Sequence, residues 1–187
     1  CNYGANNSSG EYLLFLNNDT EVITHDWIQS LLEHAQRPEI GMVGPKLIFE
    51  DKTIQHAGIV LSERDIAFHP FYGQDERTDI FTYIYTANIR NVSAVTGACC
   101  MVSRDKFNKV GGFDNKLRIT YNDVDLNLKL RKEGYYNVYT PYAELFHYES
   151  KSVGRINTSE RDTSELESAQ KEMRKRWGEY LKRDPFY

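Results

Sequence analysis

The fold is decided by the stretch Leu13-Leu14-Phe15-Leu16-Asn17-Asn18-Asp19-Thr20, in which four apolar residues are followed at once by three small polar ones. The apolar run predicts a strand buried on both faces, as in parallel sheets. Ligands of open α/β sheets bind outside the carboxyl ends of the strands. A carboxylate at this point, flanked by carboxamides, is well placed to hold a hard cation beside a phosphate. The alternative is a solvated turn, since these residue types are common in turns.

The chain has 187 residues and a net charge of -4, enough for one domain with a real core. The negative charge argues against nucleic acid as a partner. No apolar run approaches the length that crosses a bilayer. Cys1, Cys99 and Cys100 form neither a disulfide framework nor a zinc-binding spacing, which favours a reducing, cytoplasmic setting. Because there is no initiator methionine, we expect a piece of a longer protein.

Strands and helices alternate at first and strands dominate later, which predicts a mixed sheet. The predicted strands are 11–17, 42–49, 54–61, 92–103, 136–139 and 143–148, and Pro45 makes the second an edge strand or an irregular one. The predicted helices are 1–10, 24–35 with Thr24 as cap, 103–112 with Ser103 as cap, 121–134, and 159 onward. The last helix carries one apolar stripe, formed by Leu166, Ala169, Met173, Trp177 and Leu181.

Residues 62–91 show no helical or strand period, because histidine, aromatic residues and charges alternate irregularly. The segment is too long for a structureless connector. We therefore predict a functional loop or a lid, on the acceptor side if the segment folds over the cleft.

Three polar points lie at the ends of predicted core elements: Asp19, the group 122–125, and His147. A phosphoryl leaving group needs a cation held by ligands from separate elements, and base catalysis needs a carboxylate near the incoming hydroxyl. We therefore expect Asp19, Asp123 and His147 to meet in one cleft at the carboxyl edge of the sheet. The alternatives are structural, because acids in the first turn of a helix are stabilised by its dipole and a lone histidine is more often part of the core.

The order of these motifs resembles family 2 glycosyltransferases with the GT-A fold, and the resemblance covers nearly the whole chain. The matching segments are Asn2-Tyr3-Gly4, 10–22, Val95-Thr96-Gly97-Ala98-Cys99, Gly111-Gly112-Phe113-Asp114, Asn122-Asp123-Val124-Asp125-Leu126, and 141–152. The resemblance implies an α/β fold: an incomplete GT-A-like mixed sheet flanked by helices, lacking an N-terminal nucleotide-binding half of roughly 60–100 residues. It implies a single domain over 1–187, with 1–155 carrying the catalytic site and 156–187 a helical tail.

The resemblance also implies roles for individual residues. Asp19 matches the last aspartate of the DXD motif, which binds Mg²⁺ or Mn²⁺, and His147 matches a further metal ligand. Asp123 matches the catalytic base. Asn17 stands in place of the first aspartate of DXD, and Asn122 replaces the glutamate that usually precedes the base. Expected donor- or acceptor-binding residues are Asn17, Asn18, Thr96, Gly97, Asp114, Asn122 and Asp125.

The implied activity is inverting transfer from a nucleotide-sugar donor to a glycan or lipid-linked acceptor, for a bacterial surface polysaccharide. The expected location is cytoplasmic, at the inner face of the membrane, with peripheral membrane association. We expect the isolated chain to be inactive and to self-associate through an exposed sheet edge. The alternatives are a non-catalytic glycan-binding or scaffold module and, last, a glycoside hydrolase with two facing carboxylates.

Overall fold

The fold is described from a computed structural model, which covers residues 1–148 and 160–187, with side chains of the last helix from 164 onward. The predicted segment 149–152, the boundary at 155/156 and the helix start at Ser159 lie outside the described residues. The elements in chain order are α1 (Asn2–Asn6), β1 (Tyr12–Leu16), β2 (Thr20–Val22), α2 (Trp27–Ala35), β3 (Ile40–Ile48), β4 (Ile54–His56), β5 (Val60–Ser62), β6 (Ile66–Phe68), α3 (Ile80–Thr86), β7 (Arg90–Val92), β8 (Cys99–Ser103), α4 (Arg104–Lys109), α5 (Asn122–Lys132), β9 (Tyr136–His147) and α6 (Glu160–Leu181).

Within the described residues, a seven-stranded mixed sheet forms the centre of the protein, in the order β1-β8-β3-β9-β2, with β4 beside β3 and β7 beside β9. Strands β3 and β9 are parallel, and the other pairings are antiparallel. Strands β5 and β6 form a separate hairpin. Helix α5 covers one face through Leu126 and Leu130, and α2 covers the other through Leu31 and Ala35. The predicted mixed sheet flanked by helices is confirmed.

Strand β1 does not have the predicted parallel, doubly buried environment. Among the described residues it pairs only with β8, antiparallel, and so lies at the end of the strand order. Leu13 is buried, whereas Leu16 is 45% exposed. The apolar run signalled a strand correctly, but apolar residues do not specify how many neighbours a strand has or in which direction they run.

Strand β3 is central and fully buried, so its prediction as an edge strand is wrong and its prediction as irregular is confirmed. Pro45 lacks a backbone N–H, and β8 pairs with β3 only at Met42 and Val43. The pairing with β9 shifts register directly after Pro45. The same shift lets β9 run continuously through Pro141, where two separate strands were predicted.

Two long predicted strands are each divided. The segment 54–61 forms β4 and the start of β5, with Gly58 between them at φ +93°. A Cβ at Gly58 would lie 2.7 Å from Cγ1 of Val92, so only glycine fits there. The segment 92–103 forms the end of β7 and then β8, separated by the turn that contains Gly97. The apolar pattern carries no signal for these breaks, because the residues around them remain buried.

Helix boundaries follow the predictions with local exceptions. Ser103 caps α4 by accepting a hydrogen bond from the Lys106 N–H, as predicted. Thr24 does not cap α2; its hydroxyl accepts from the Glu144 N–H at 2.9 Å, and α2 begins after Asp26. The predicted first helix ends at Asn6 rather than Gly10. The segment 62–91 contains only the last residue of β5, then β6, α3 and the start of β7, in agreement with its irregular pattern.

Helix α6 packs on the outer side of α5. Ala169, Met173, Trp177 and Leu181 of the predicted stripe are buried together with residues of α5, while Leu166 is 39% exposed. Burying a side chain as large as that of Met or Trp stabilises the fold by about 1.5–3 kcal/mol. The carboxy-terminal helix therefore supports the helix whose first turn carries Asp123.

Candidate active site

Strand direction brings the predicted site residues to one edge of the sheet. Strands β1, β3 and β9 run one way and β8 the other, so Asn17 after β1, His147 at the end of β9 and Gly97 before β8 share that edge. Asn17 donates its backbone N–H to the Ala98 carbonyl at 2.8 Å. The edge opens into a cleft of about 860 Å³ whose lining includes Asn17, Gln55, His69, Thr96, Gly97, Asp114, Asn122, Asp123 and His147.

Asp19 and His147 face each other beside this cleft. Thr20 pairs with His147 in the β2–β9 ladder, and the Tyr148 N–H donates to the Asp19 carbonyl at 2.9 Å. His147 Nε2 lies 3.4 Å from Asp19 Oδ1 and 3.5 Å from Asn17 Nδ2. Within the described part of the chain, Asp19 Oδ1 and His147 Nδ1 are buried without a hydrogen-bond partner. The cluster thus holds polar atoms whose bonding is incomplete.

The geometry of Asp19 and His147 fits two ligands of one small divalent cation. Two atoms about 2.1 Å from such a cation and at right angles to each other are about 3 Å apart, close to the observed separation. The oxygen and nitrogen of the Asn17 amide are assigned from hydrogen bonds. With the two atoms exchanged, the carboxamide oxygen could be a further ligand. The described residues contain no group of three or more His, Cys, Asp or Glu that could hold a metal. A cation here would need water and substrate oxygens to complete its shell.

Asp123 lies in the first turn of α5 and is fixed by two backbone N–H groups. Gly97 N–H donates to Oδ2 at 2.8 Å, and Val124 N–H donates to Oδ1 at 2.8 Å. Tyr121, immediately before α5, adopts φ +62°, which for a non-glycine residue costs on the order of 1–3 kcal/mol. Asn127 adds a clamp: its amide bonds both backbone groups of Val95 at 3.1 Å and the Asp123 carbonyl at 2.8 Å. These contacts position a carboxylate at the cleft wall.

The remaining predicted binding residues divide into two groups. Asn17, Thr96, Gly97, Asp114 and Asn122 line the cleft. Asn18 and Asp125 are not among its lining residues.

Asp125 is fully buried and does not line the cleft, so its binding role stays a prediction while its contacts in the structure are structural. Its carboxylate accepts from Trp177 Nε1 at 2.9 Å and Arg176 Nη1 at 3.2 Å, and pairs with Lys129 Nζ at 2.9 Å. An i, i+2 spacing on a helix turns Asp125 away from the side that Asp123 faces. Asp125 therefore joins α6 to α5.

Asp114 lies in the cleft but is already engaged. The Lys116 N–H donates to Oδ1 at 2.7 Å and Arg176 Nη1 donates to Oδ2 at 2.7 Å. The Lys116 N–H, and then Arg176, hold the pKa of this carboxyl below its usual range. Asp114 is thus suited to ordering the loop after α4.

Sequence reasoning missed Gln55 and His69, which also line the cleft. Gln55 lies within an apolar strand pattern and His69 in the segment without period. Neither position carries a local signal, because both reach the cleft only through the pairing of β4 with β3 and the hairpin of β5 and β6.

The open mixed sheet with a polar cleft at the ends of its strands has the GT-A fold of solved glycosyltransferase structures. The solved structure "GalNAc-T7 with UDP, GalNAc and Mn²⁺" superposes on 88% of this chain and 34% of its own with a TM-score of 0.60 at 16% identity. At that identity the likeness establishes the fold.

The chain belongs to the family described as Glycosyl transferase family group 2, whose pattern matches residues 12–178. The O-antigen biosynthesis protein RfbC of Myxococcus xanthus is 42% identical over 151 residues, 81% of this chain and 12% of RfbC. N-acetylglucosaminyl-diphospho-decaprenol L-rhamnosyltransferase of Mycobacterium tuberculosis H37Rv is 31% identical over 68% of this chain and 44% of that enzyme. The chain therefore spans less than half the length of these two relatives. No helix within the described residues is long and apolar enough to cross a membrane.

Proposed function

We propose that the protein is an inverting glycosyltransferase that moves a sugar from a nucleotide-sugar donor to a hydroxyl of a glycan or lipid-linked acceptor. The observation that carries this proposal is the position of Asp123, whose carboxylate lies on the wall of the cleft that His147 also lines. A base and a leaving-group site in one cleft are what a single displacement requires.

Asp123 acts as the base. Each of its oxygens accepts one backbone N–H and keeps a lone pair for the proton of the acceptor hydroxyl. As that proton moves to Asp123, the acceptor oxygen forms a bond to the anomeric carbon. The bond from that carbon to the diphosphate oxygen breaks, and the leaving diphosphate takes the electron pair. Attack from the opposite face inverts the anomeric configuration.

Asp19 and His147 would hold Mg²⁺ or Mn²⁺, because their facing atoms fit two ligands and Asp19 Oδ1 is buried without a hydrogen-bond partner in the described part of the chain. The ion, when bound, supplies positive charge that stabilises the diphosphate leaving group. Asn17, as a carboxamide, contributes a hydrogen bond to the donor rather than charge.

The acceptor is assigned to the glycans of a bacterial surface polysaccharide. The names of the two curated relatives, one for O-antigen biosynthesis and one for a diphospho-decaprenol substrate, support this class. Helix α3 supports peripheral membrane association at the cytoplasmic face, since Ile80, Phe81 and Ile84 are each more than half exposed.

Two other functions are ranked lower. A non-catalytic glycan-binding module is favoured by Asn17 and Asn122, which stand where the family usually has acids. A glycoside hydrolase would need a second free carboxylate in the cleft, and Asp114 is bound by Arg176 and the Lys116 N–H.

The test is a transfer assay of the full-length protein with a panel of nucleotide sugars, followed by NMR assignment of the anomeric configuration in the product. We expect transfer with inversion that depends on Mn²⁺ or Mg²⁺. Retention would exclude the single displacement, and glycan binding without transfer or donor hydrolysis would favour the non-catalytic module.

A further inference from the structure

Arg118 is the one arginine or lysine among the described residues that line the cleft. It lies in the loop 110–121 between α4 and α5, and it is exposed. Its side chain forms no hydrogen bond, ion pair or ring contact in the described part of the chain. The carboxylate of Asp114 in the same lining is already paired with Arg176. The guanidinium of Arg118 is therefore a positive charge that is available to a ligand in the cleft.

The backbone at Arg118 is fixed on both sides, which sets it apart from an ordinary solvated arginine. Leu117 is 2% exposed and packs with buried residues of α5 and α6. The Leu117 N–H donates to the Asp114 carbonyl at 3.2 Å, and Asn122 Nδ2 donates to the Arg118 carbonyl at 3.3 Å. A charge on an ordered backbone binds a ligand at a lower entropic cost than one on a mobile loop.

Arg118 belongs to the same segment as the proposed base. Asn122, which contacts Arg118, immediately precedes Asp123, which takes the proton of the acceptor hydroxyl in the proposed reaction. Asp19 and His147, the proposed ligands of the cation at the donor diphosphate, come from the separate β2–β9 ladder and the turn before it. An anion bound at Arg118 is therefore assigned to the acceptor rather than to the donor.

The neighbour of Arg118 indicates what this anion carries. Ile119 is 75% exposed and also lines the cleft. A guanidinium presents a planar fork of donors that matches phosphate oxygens, and an exposed apolar side chain gains free energy by covering hydrocarbon. The diphosphate of a nucleotide sugar lies between two hydroxyl-rich rings and offers Ile119 no hydrocarbon. A phosphate attached to a lipid matches both residues.

We propose that Arg118 binds the phosphate that links the acceptor sugar to a lipid, and that Ile119 contacts the first carbons of that lipid. The proposal rests on the proposed glycosyl transfer and specifies its acceptor. The diphosphate of the donor has the same chemistry as that of a lipid-linked acceptor, so the experiment compares the two sources.

The test is calorimetric binding to the full-length protein in metal-free buffer, with farnesyl diphosphate and UDP as probes. Arg118→Gln keeps hydrogen-bond donors and removes the charge. We expect it to weaken farnesyl diphosphate about 10- to 100-fold, the usual effect of losing a charged hydrogen bond, and to leave UDP unchanged. Arg118→Lys keeps the charge without the planar fork and should give an intermediate loss.

Three results would overturn the proposal. Weakening of UDP alone, or of both probes equally, would place Arg118 at the donor or at phosphates in general. Unchanged binding of farnesyl diphosphate in Arg118→Gln would remove Arg118 from any phosphate site. Failure of the wild-type protein to bind farnesyl diphosphate would remove the site itself.

Arg183→Gln is the matched control, because Arg183 is exposed, has no contact in the described part of the chain and does not line the cleft. It should change the affinity for neither probe. A loss equal to that of Arg118→Gln would assign the effect to net charge and overturn the proposal. The unfolding midpoint should be the same in Arg118→Gln and wild type, since the guanidinium contacts no described residue.

Ile119→Ser tests the lipid contact separately. It should weaken farnesyl diphosphate and leave inorganic pyrophosphate unchanged. Equal binding of farnesyl diphosphate by Ile119→Ser and wild type would overturn the contact between Ile119 and lipid.

Binding needs no turnover, so failure of this proposal can be distinguished from failure of the proposed function. If the wild-type protein transfers sugar and Arg118→Gln binds farnesyl diphosphate normally, the glycosyl transfer stands and the phosphate contact is overturned. If the wild-type protein transfers no sugar and Arg118→Gln loses farnesyl diphosphate selectively, the phosphate contact is supported and the proposed function fails.

Discussion

The backbone N–H of Gly97 donates a 2.8 Å hydrogen bond to Oδ2 of Asp123, across 26 residues of sequence. The bond joins the turn before β8 to the first turn of α5. A Cβ added at Gly97 would lie 3.3 Å from the Cβ of Asp123, so a side chain at this position would require Asp123 to shift by a few tenths of an ångström. The carboxylate that we assign as the base is therefore positioned by two segments at once.

Asp123→Asn should lower kcat by about 10²–10⁴, the usual contribution of a general base. The fold should persist, because the amide oxygen can still accept from Gly97. Asp105→Asn is the matched control: it also lies in the first turn of a helix but is exposed, and kcat should be unchanged. Steady-state rates with a saturating donor check both, and full activity of Asp123→Asn would contradict the assignment.

Asp125→Ala should reduce the free energy of unfolding by about 2–4 kcal/mol, measured by urea denaturation. The change leaves the buried Trp177 Nε1–H without its acceptor and removes a shared partner of Arg176 and Lys129. For comparison, Glu179→Ala breaks an exposed pair with Lys182 and should change stability by less than about 1 kcal/mol. Equal effects of the two changes would show that Asp125 does not join α6 to α5.

Stability should fall as the pH decreases below about 6.5, the ordinary pKa of histidine. Because burial holds the pKa of His56 well below that value, the unfolded chain binds a proton that the folded chain does not. The free energy of unfolding is therefore not reduced by His56 above pH 6.5. Below pH 6.5 it falls by up to about 1.4 kcal/mol per pH unit.

The measurement is the unfolding midpoint from pH 8 to pH 5 in wild type, His56→Asn and His25→Gln. His56→Asn should flatten the dependence. Exposed His25 should leave it unchanged. A slope as steep in His56→Asn as in wild type would assign the dependence to another group.

The 187-residue chain should bind Mn²⁺ weakly or not at all in calorimetric titration. Asp19 and His147 provide two protein ligands, and the cation depends on substrate oxygens for the rest of its shell. A UDP-sugar should increase the affinity for Mn²⁺ only if the protein also binds the diphosphate. The Asp19→Asn variant should abolish this increase in affinity. Tight binding of Mn²⁺ without a nucleotide sugar would contradict this prediction. It would show that the chain supplies further metal ligands besides Asp19 and His147.

Phe81→Ser combined with Ile84→Ser should weaken association with phosphatidylglycerol vesicles in a flotation assay. The exposed face of α3 loses apolar surface, while the Asp79 carboxylate that caps the helix keeps its bond to the Thr82 N–H. A second pair, Lys52→Ser with Glu50→Ser, controls for surface change elsewhere. Equal flotation of the α3 variant and wild type would show that the exposed face of α3 does not contribute to membrane association.

Much of the site could be predicted from sequence because its residues end regular elements. The change from Leu16 to Asn17 marks the end of β1, and the acids after Tyr121 mark the start of α5. Asn17 and His147 lie at the ends of strands of one sheet, and Asp123 lies in the first turn of the helix that packs on that sheet, so they reach the same edge. Their chemical roles remain predictions, since geometry shows proximity and not turnover.

Outside 62–91, the sequence by itself determined where most helices and strands lie, since apolar period and capping act within a few residues. It determined the buried stripe of α6 for the same reason. Only the tertiary structure decided that β1 lies at the end of the strand order, that Asp125 turns into the core, and that Gln55 and His69 reach the cleft. These outcomes depend on which strand pairs with which and in what register, and burial patterns record only that a side chain is covered, not what covers it.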